Sequence, residues 1–400
     1  MIDHEQLRLD PIFNVVLGKN PEDILAGKST LNRLEYKSTE IESEKSRYHK
    51  IKPIPEKIAE LIVELFLESY GKEPRQIVID LDVTDIRVHG EQDGAFYNSY
   101  YHGICYAPLY LFCGYHILSA KLRPSNVDSA GGGLEEISRI VNLIRNKWKN
   151  TIIIIRGDRA YARDEIMNWC ESQEKVEYII GMPSNERLIR ESSDLVRKVT
   201  ENYHQKAQPV TEFLEQYFEE GEYEKEVKEL IGESKYYRTM YYKTHESWSR
   251  QRRIVTKIAY DGEKVNQRFI VTSLTAEQIP PQKLYTKKYC LRGEMENRIK
   301  EQQLDLFSDR ASVHNFEGNQ LRLWYSAIAY ILMQSLRQYG LKDTELEKAQ
   351  IGTIRLKFLK LGARVISNAQ KIIIAISSSN PIQELFKRAY SRLEKVPAPS

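Results

Sequence analysis

Two short runs constrain the fold more than any other feature of the chain. "QIVIDLDVTDI" at 76–86 and "TIIIIRGD" at 151–158 are dense in β-branched aliphatic residues, and both carry acids towards their ends. Continuous apolar runs of this length read as buried strands. A carboxylate at the end of such a strand is a liability, because burying an unpaired charge is costly. Asp80, Asp82 and Asp85 crowd the end of the first run, and Asp158 ends the second. Acids so placed either cap a following element or pair with a protein cation, or they converge and hold a metal ion through hard oxygen ligands.

The elements around these runs have an α/β pattern with a mixed sheet. Strands are expected near 109–113, 115–122 and 176–181, and helices near 134–149 and 162–171. Residues 1–72 read as helical, with Ile58, Leu61, Ile62, Leu65 and Phe66 on one face before Pro74 ends the pattern. Residues 190–230 are charged and helical. The runs at 235–260 and 267–274 then read as long strands of a separate lobe, rich in Lys and Arg with Glu246 the lone acid of the first. Helical periodicity returns at 290–306 and 318–337. The segment 350–383 is basic and apolar and lacks acids. The resulting division is 1–72 helical, 73–190 core, 191–285 an insertion that is helical then β, 286–340 core again, and 341–400 a basic C-terminal region.

Composition excludes some classes. With 400 residues, 41% hydrophobic and 29% charged, the chain can bury a large core and is neither a disordered chain nor a small disulfide scaffold. The net charge of +3 neither requires nor excludes a nucleic-acid partner. Cys105, Cys113, Cys170 and Cys290 form no C-x-x-C pair and read as buried free thiols of a reducing compartment. No signal peptide is evident, and the apolar stretch at 325–336 is shorter than the roughly 20 residues a membrane span needs. The expectation is a cytoplasmic protein without a membrane partner.

A third acid lies far along the chain. Tyr289, Arg292, Glu296, Lys300 and Gln303 are spaced by three or four residues. On a regular helix they fall within roughly 80° of arc. One carboxylate flanked by cations, a phenol and an amide suits a metal ligand surrounded by phosphate binders. A solvated Arg-Glu-Lys ladder has the same spacing.

Taken together, these segments resemble the DDE transposases of bacterial insertion sequences. The likeness is to insertion-sequence family 1380, in the group marked by a Tyr-x2-Arg-x3-Glu-x6-Lys signature. It rests on "DLDVTD" at 80–85, "HGEQDGAFYNSYYHGICYAPLYLF" at 89–112 and "GDRAYARDEI" at 157–166. It continues through "YCLRGEMENRIKEQQLDLFSDRAS" at 289–312, "NQLRLWYSAIAY" at 319–330 and "TIRLKFLKLGARV" at 353–365. The resemblance implies an RNase H-like catalytic core with a mainly β insertion between the second Asp and the Glu, plus helical N- and C-terminal regions. It implies Asp82, Asp158 and Glu296 as catalytic residues and as ligands of two Mg²⁺ ions, with Mn²⁺ as a substitute. Asp80 and Asp85 are the near alternatives to Asp82. Tyr289, Arg292, Lys300, Arg159, Trp248, Arg252 and Arg253 are the expected DNA contacts, Trp248 as a ring for a flipped base. The expected partners are double-stranded DNA, as terminal inverted repeats and target, and a second copy of the chain in a synaptic complex.

The chain departs from the pattern at two points. Gln303 stands where the signature has Lys, so Lys300 is the nearest cation to take that role. Relatives also carry further residues ahead of "MIDHEQLRLDPIF", so a shortened N-terminal region is expected. The rival readings are an RNase H-like nuclease without strand transfer and an inactive DNA-binding remnant. Gly131–Gly133 lacks a following Gly-Lys-Ser/Thr and reads as a helix-entry loop, and Arg156-Gly157-Asp158 as a coincidental tripeptide.

Overall fold

The first strands, in chain order, are β1 (Gln76–Val83), β2 (Ile86–Arg87), β3 (Phe96–Asn98), β4 (Gly103–Tyr106), β5 (Leu109–Cys113), β6 (His116–Lys121), β7 (Ile152–Gly157) and β8 (Val176–Met182), and the β-branched runs of the sequence form β1 and β7. After these come β9 (Ser234–Tyr242), β10 (Arg252–Tyr260), β11 (Val265–Thr272), β12 (Ala363–Ser367) and β13 (Ile372–Ile376). The computed structural model describes residues 2–35, 53–219, 222–368 and 371–396. Part of the helical reading of 1–72 therefore lies outside the described residues.

Eight strands form one sheet in the order β6-β5-β1-β7-β8-β11-β10-β9. β1, β7 and β8 run parallel, while β5 is antiparallel to both β1 and β6. That order and direction over the first five strands make the core RNase H-like, as the family resemblance implied. β2, β4 and β3 form a small sheet of their own, and β12 pairs with β13 as a hairpin.

Alternation along β1 assigns its two faces. Ile77, Ile79 and Leu81 enter a core shared with Val63 and Phe66 of the helix Pro55–Glu68 and with Ile137, Ile140 and Ile144 of the helix Gly133–Lys147. Tyr110 and Phe112 of β5 enter a second core, with Met295, Ile299, Leu321 and Trp324 from the helices Gly293–Lys300 and Phe316–Ser335. Asp80 and Asp82 have the opposite parity to Ile79 and Leu81. They face the side on which the helix Gly293–Lys300 packs.

Two expectations need correction. The strands after residue 234 are not a separate lobe: β11 pairs with β8, from Phe269↔Met182 to Thr272↔Ile179, so the insertion extends the core sheet. Thr272 Oγ1 donates to the Tyr178 carbonyl at 2.7 Å, and Ser273 Oγ accepts the Tyr178 N–H at 3.0 Å, closing the seam. Cys290 is exposed, unlike the other three cysteines. No described helix is long and apolar enough to cross a membrane.

Candidate active site

The register of two parallel strands brings the first two acids together. Asp80 of β1 lies opposite Arg156 of β7. Two residues further along each strand stand Asp82 and Asp158, at the carboxyl edge where α/β sheets bind ligands. Asp80 is not available for chemistry there. It is 5% exposed and is gripped by both Arg156 Nε and, at 2.7 Å, Arg156 Nη2. Asp85 pairs with Arg87 at 2.8 Å. Asp82 and Asp158 instead line one cleft of about 290 Å³, with Tyr161, Arg123, Tyr101 and Arg159 among its walls. Asp158 also caps the short turn Arg159–Tyr161, its Oδ1 accepting the Ala160 N–H at 2.9 Å.

Arg292 joins the third acid to this pair. Its Nη1 donates to Asp82 Oδ2 at 3.0 Å and its Nη2 to Glu296 Oε1 at 3.1 Å. Burial pushes the Asp82 carboxyl up to about 6; Arg292 and the Val83 N–H oppose this, while Asp158 and Glu296 reinforce it. Burial likewise raises Tyr289, with Arg292 opposing and Asp158 adding to the rise. Burial works against the charge on Arg292, but Asp82, Tyr289, Glu296 and Asp158 outweigh it and hold its pKa above the ordinary value. Tyr289, Arg292, Asp82, Asp158 and Glu296 thus share one field. Gly181 of β8 makes room for Tyr289: a Cβ there would lie 2.4 Å from Tyr289 Oη and 3.1 Å from the Arg159 nitrogen.

The donor set suits a hard divalent cation, since all three acids offer oxygen and Asp82 is crowded by like charge. The set is not closed, however. Among the described residues, no three His, Cys, Asp or Glu side chains gather as a ready metal cage. Glu296 is half-exposed and held by Arg292, whose guanidinium supplies the positive charge between Asp82 and Glu296.

Several expected DNA contacts lie elsewhere. The helix is not regular: Tyr285–Tyr289 and Glu301–Asp305 are wide π turns around the tight turn Cys290–Arg292 and the α-helical Gly293–Lys300. Changes of pitch break the single face that uniform spacing implied. Lys300 is exposed and lines a different cleft of about 1030 Å³, with Tyr115, Arg298 and Glu301. Gln303 reaches the segment after β1, its Nε2 donating to the Asp85 carbonyl at 3.0 Å and to Thr84 Oγ1 at 3.4 Å.

Trp248, Arg252 and Arg253 are corrected outright. Trp248 is 4% exposed, edge-on to Tyr242 and under the Arg252 guanidinium, so no base can stack on it. Arg252 is 3% exposed and binds Asp164 at 2.6 Å and Glu171 at 2.8 Å. Arg253 is 4% exposed and donates to the carbonyls of Leu274, Thr275 and Ile279. Their cationic groups are consumed inside the protein. Arg159, by contrast, is exposed at the rim of the cleft with the acids.

The cleft also holds residues that sequence reading missed. Tyr161 lies in the turn after Asp158, so its nearness to that acid was the only local signal. Arg123 follows β6, and nothing in its neighbours announces the contact. Gly132, with φ 73°, starts the helix Gly133–Lys147, as a helix-entry loop should.

A family model described as transposase DDE domain group 1 matches residues 1–398. No curated protein matches the sequence. Among solved structures, the cryo-EM structure of the piggyBac transposase synaptic complex with hairpin DNA is similar at 10% identity and a TM-score of 0.36. The likeness covers 82% of this chain and 60% of that one, so the chain spans less than two thirds of that protein's length. With almost its whole length matched by the family model, the chain belongs to the transposase DDE domain group 1 family.

Proposed function

We propose that the protein cuts DNA at the ends of a mobile element and joins the freed ends to target DNA, with Asp82, Asp158 and Glu296 as the catalytic acids. The observation that carries this reading is the shared cleft of Asp82 and Asp158, tied to Glu296 through Arg292. Two Mg²⁺ ions, when bound, would supply an activated nucleophile and neutralise charge on the scissile phosphate. Asp82, Asp158 and Glu296 would hold these ions through their carboxylate oxygens. Arg292 holds Asp82 and Glu296 in register; turning away frees both carboxylates and points a planar donor at a phosphate. Tyr289 lies over Gly181, next to the turn that carries Asp158. Arg159 meets the DNA backbone at the rim. Two element ends must be joined together, which calls for two copies of the chain.

The test uses the element's own terminal repeats on a plasmid, a target plasmid, purified protein, and Mg²⁺ or EDTA. Expected products are cuts at the repeat boundary and joined target molecules, both lost with EDTA and with Asp158→Ala. Cuts without joined products would make the protein a nuclease. DNA binding with no cuts would make it a binding remnant.

A further inference from the structure

Two buried polar groups in the same cleft have no role in that chemistry. Arg123 is 5% exposed. Its Nε donates to the Ala107 carbonyl at 2.9 Å, and its Nη1 donates to the carbonyls of Ser129, at 3.2 Å, and Gly131. Its Nη2 is buried with no partner. Tyr161 is 2% exposed, its ring set against Gly133 and Gly157, and its hydroxyl also lacks a partner. Buried donors in native proteins are nearly always satisfied, so two orphans lining one cleft call for a missing acceptor.

The surrounding charges say what kind. Arg123 feels Tyr161, Tyr101 and Asp128, whereas Tyr161 feels Arg123 together with Asp82 and Asp158. The one cleft therefore holds the acids Asp82 and Asp158 together with the Arg123 guanidinium and Tyr161. Three backbone carbonyls hold the guanidinium in place, so it is oriented in advance. The Tyr161 phenol carries one O–H donor. A group that only accepts hydrogen bonds and carries negative charge fits both. Phosphate oxygens do so, and such contacts set the register of a strand without reading its sequence.

We propose that the cleft binds a backbone phosphate of the cut strand, beside the phosphate processed at Asp82 and Asp158, with Arg123 Nη2 and Tyr161 Oη as donors. This rests on the catalytic reading of the acids. Arg123 and Tyr161 are then positioning residues.

The test is fluorescence anisotropy of a labelled oligodeoxythymidylate, about twenty nucleotides long so that it outspans one binding groove, with the full chain in Mg²⁺ across a series of salt concentrations. Tyr161→Phe keeps the ring and removes only the donor; the expected loss is about tenfold in affinity with unchanged Tm. Arg123→Gln is expected to weaken binding further and to lower the slope of log affinity against log salt by about 0.7, one phosphate contact on a single strand. A merely structural role would not move that slope. If Arg123→Gln fails to fold because it frees three carbonyls, Tyr161→Phe decides alone. Unchanged affinity and slope in the folded variants, or no binding by the wild type, overturns the proposal and leaves buried water as the acceptor. Cleavage with unaltered binding in the variants would sink the subsite and spare the catalytic reading; binding lost in the variants without any cleavage would do the reverse.

Discussion

At the scale of single residues, Asp82 answers two opposed demands. It must be ionised to hold a cation, yet burial and two neighbouring acids favour its neutral form. Its folded pKa of about 6 lies above the ordinary 3.8 of an aspartate, so the native state binds the proton more tightly than the unfolded chain does. The protonated carboxyl therefore favours folding below pH 4, and this benefit is lost as pH rises towards 6. The loss is about 3 kcal/mol at neutral pH, at roughly 1.4 kcal/mol per unit. Asp82→Asn should consequently gain stability relative to wild type between pH 4 and pH 7, measured as Tm in EDTA. A difference in Tm that stays flat across that range would refute the account. Not every charged residue was legible in this way. The acids were visible because they interrupt apolar runs. Arg252 and Arg253 looked like surface cations because their partners, Asp164, Glu171 and the Leu274–Ile279 carbonyls, are joined to them only by the fold.

At the scale of elements, the edge of β8 and the helix that follows β11 meet at one glycine. Gly181 is flat enough for Tyr289 to close over the Asp158 turn. Gly181→Ala should destabilise the protein by about 1–3 kcal/mol through overpacking. Tyr289→Phe removes the oxygen that lies 2.4 Å from the added methyl but leaves the Arg159 nitrogen at 3.1 Å, so the double variant should recover part of that loss. Chemical denaturation of the four proteins checks this, and strict additivity would contradict the contact. The helix carrying Glu296 was legible from spacing, but its π turns were not. Pitch changes of this sort answer to packing rather than to local preference. The helix Pro55–Glu68 shows the same limit: its buried face is Ile62, Val63, Phe66 and Leu67, and Leu61 is left 42% exposed.

At the scale of the whole molecule, the insertion and the core share one sheet. Strand runs were legible from their β-branched residues, yet the β8–β11 pairing was not, since nothing local names a strand's partner. The shared sheet predicts a common fate on unfolding. Trp148 packs in the core next to Phe66 and Tyr70, and Trp248 packs in the insertion next to Tyr242. Variants retaining only one of these as the tryptophan reporter should lose native fluorescence at the same urea midpoint. Separate midpoints would mean that the insertion is an independent unit.

The central claim is that three acids from two strands and a distant helix form one cleavage centre. The most direct measurement is the rate of Mg²⁺-dependent cutting at the element's terminal repeat by wild type, Asp82→Asn, Asp158→Asn and Glu296→Gln, each verified as folded. The account predicts that every variant loses about a thousandfold or more, the effect of removing several kcal/mol of transition-state stabilisation. A folded variant of any of the three that cuts at the wild-type rate would contradict it.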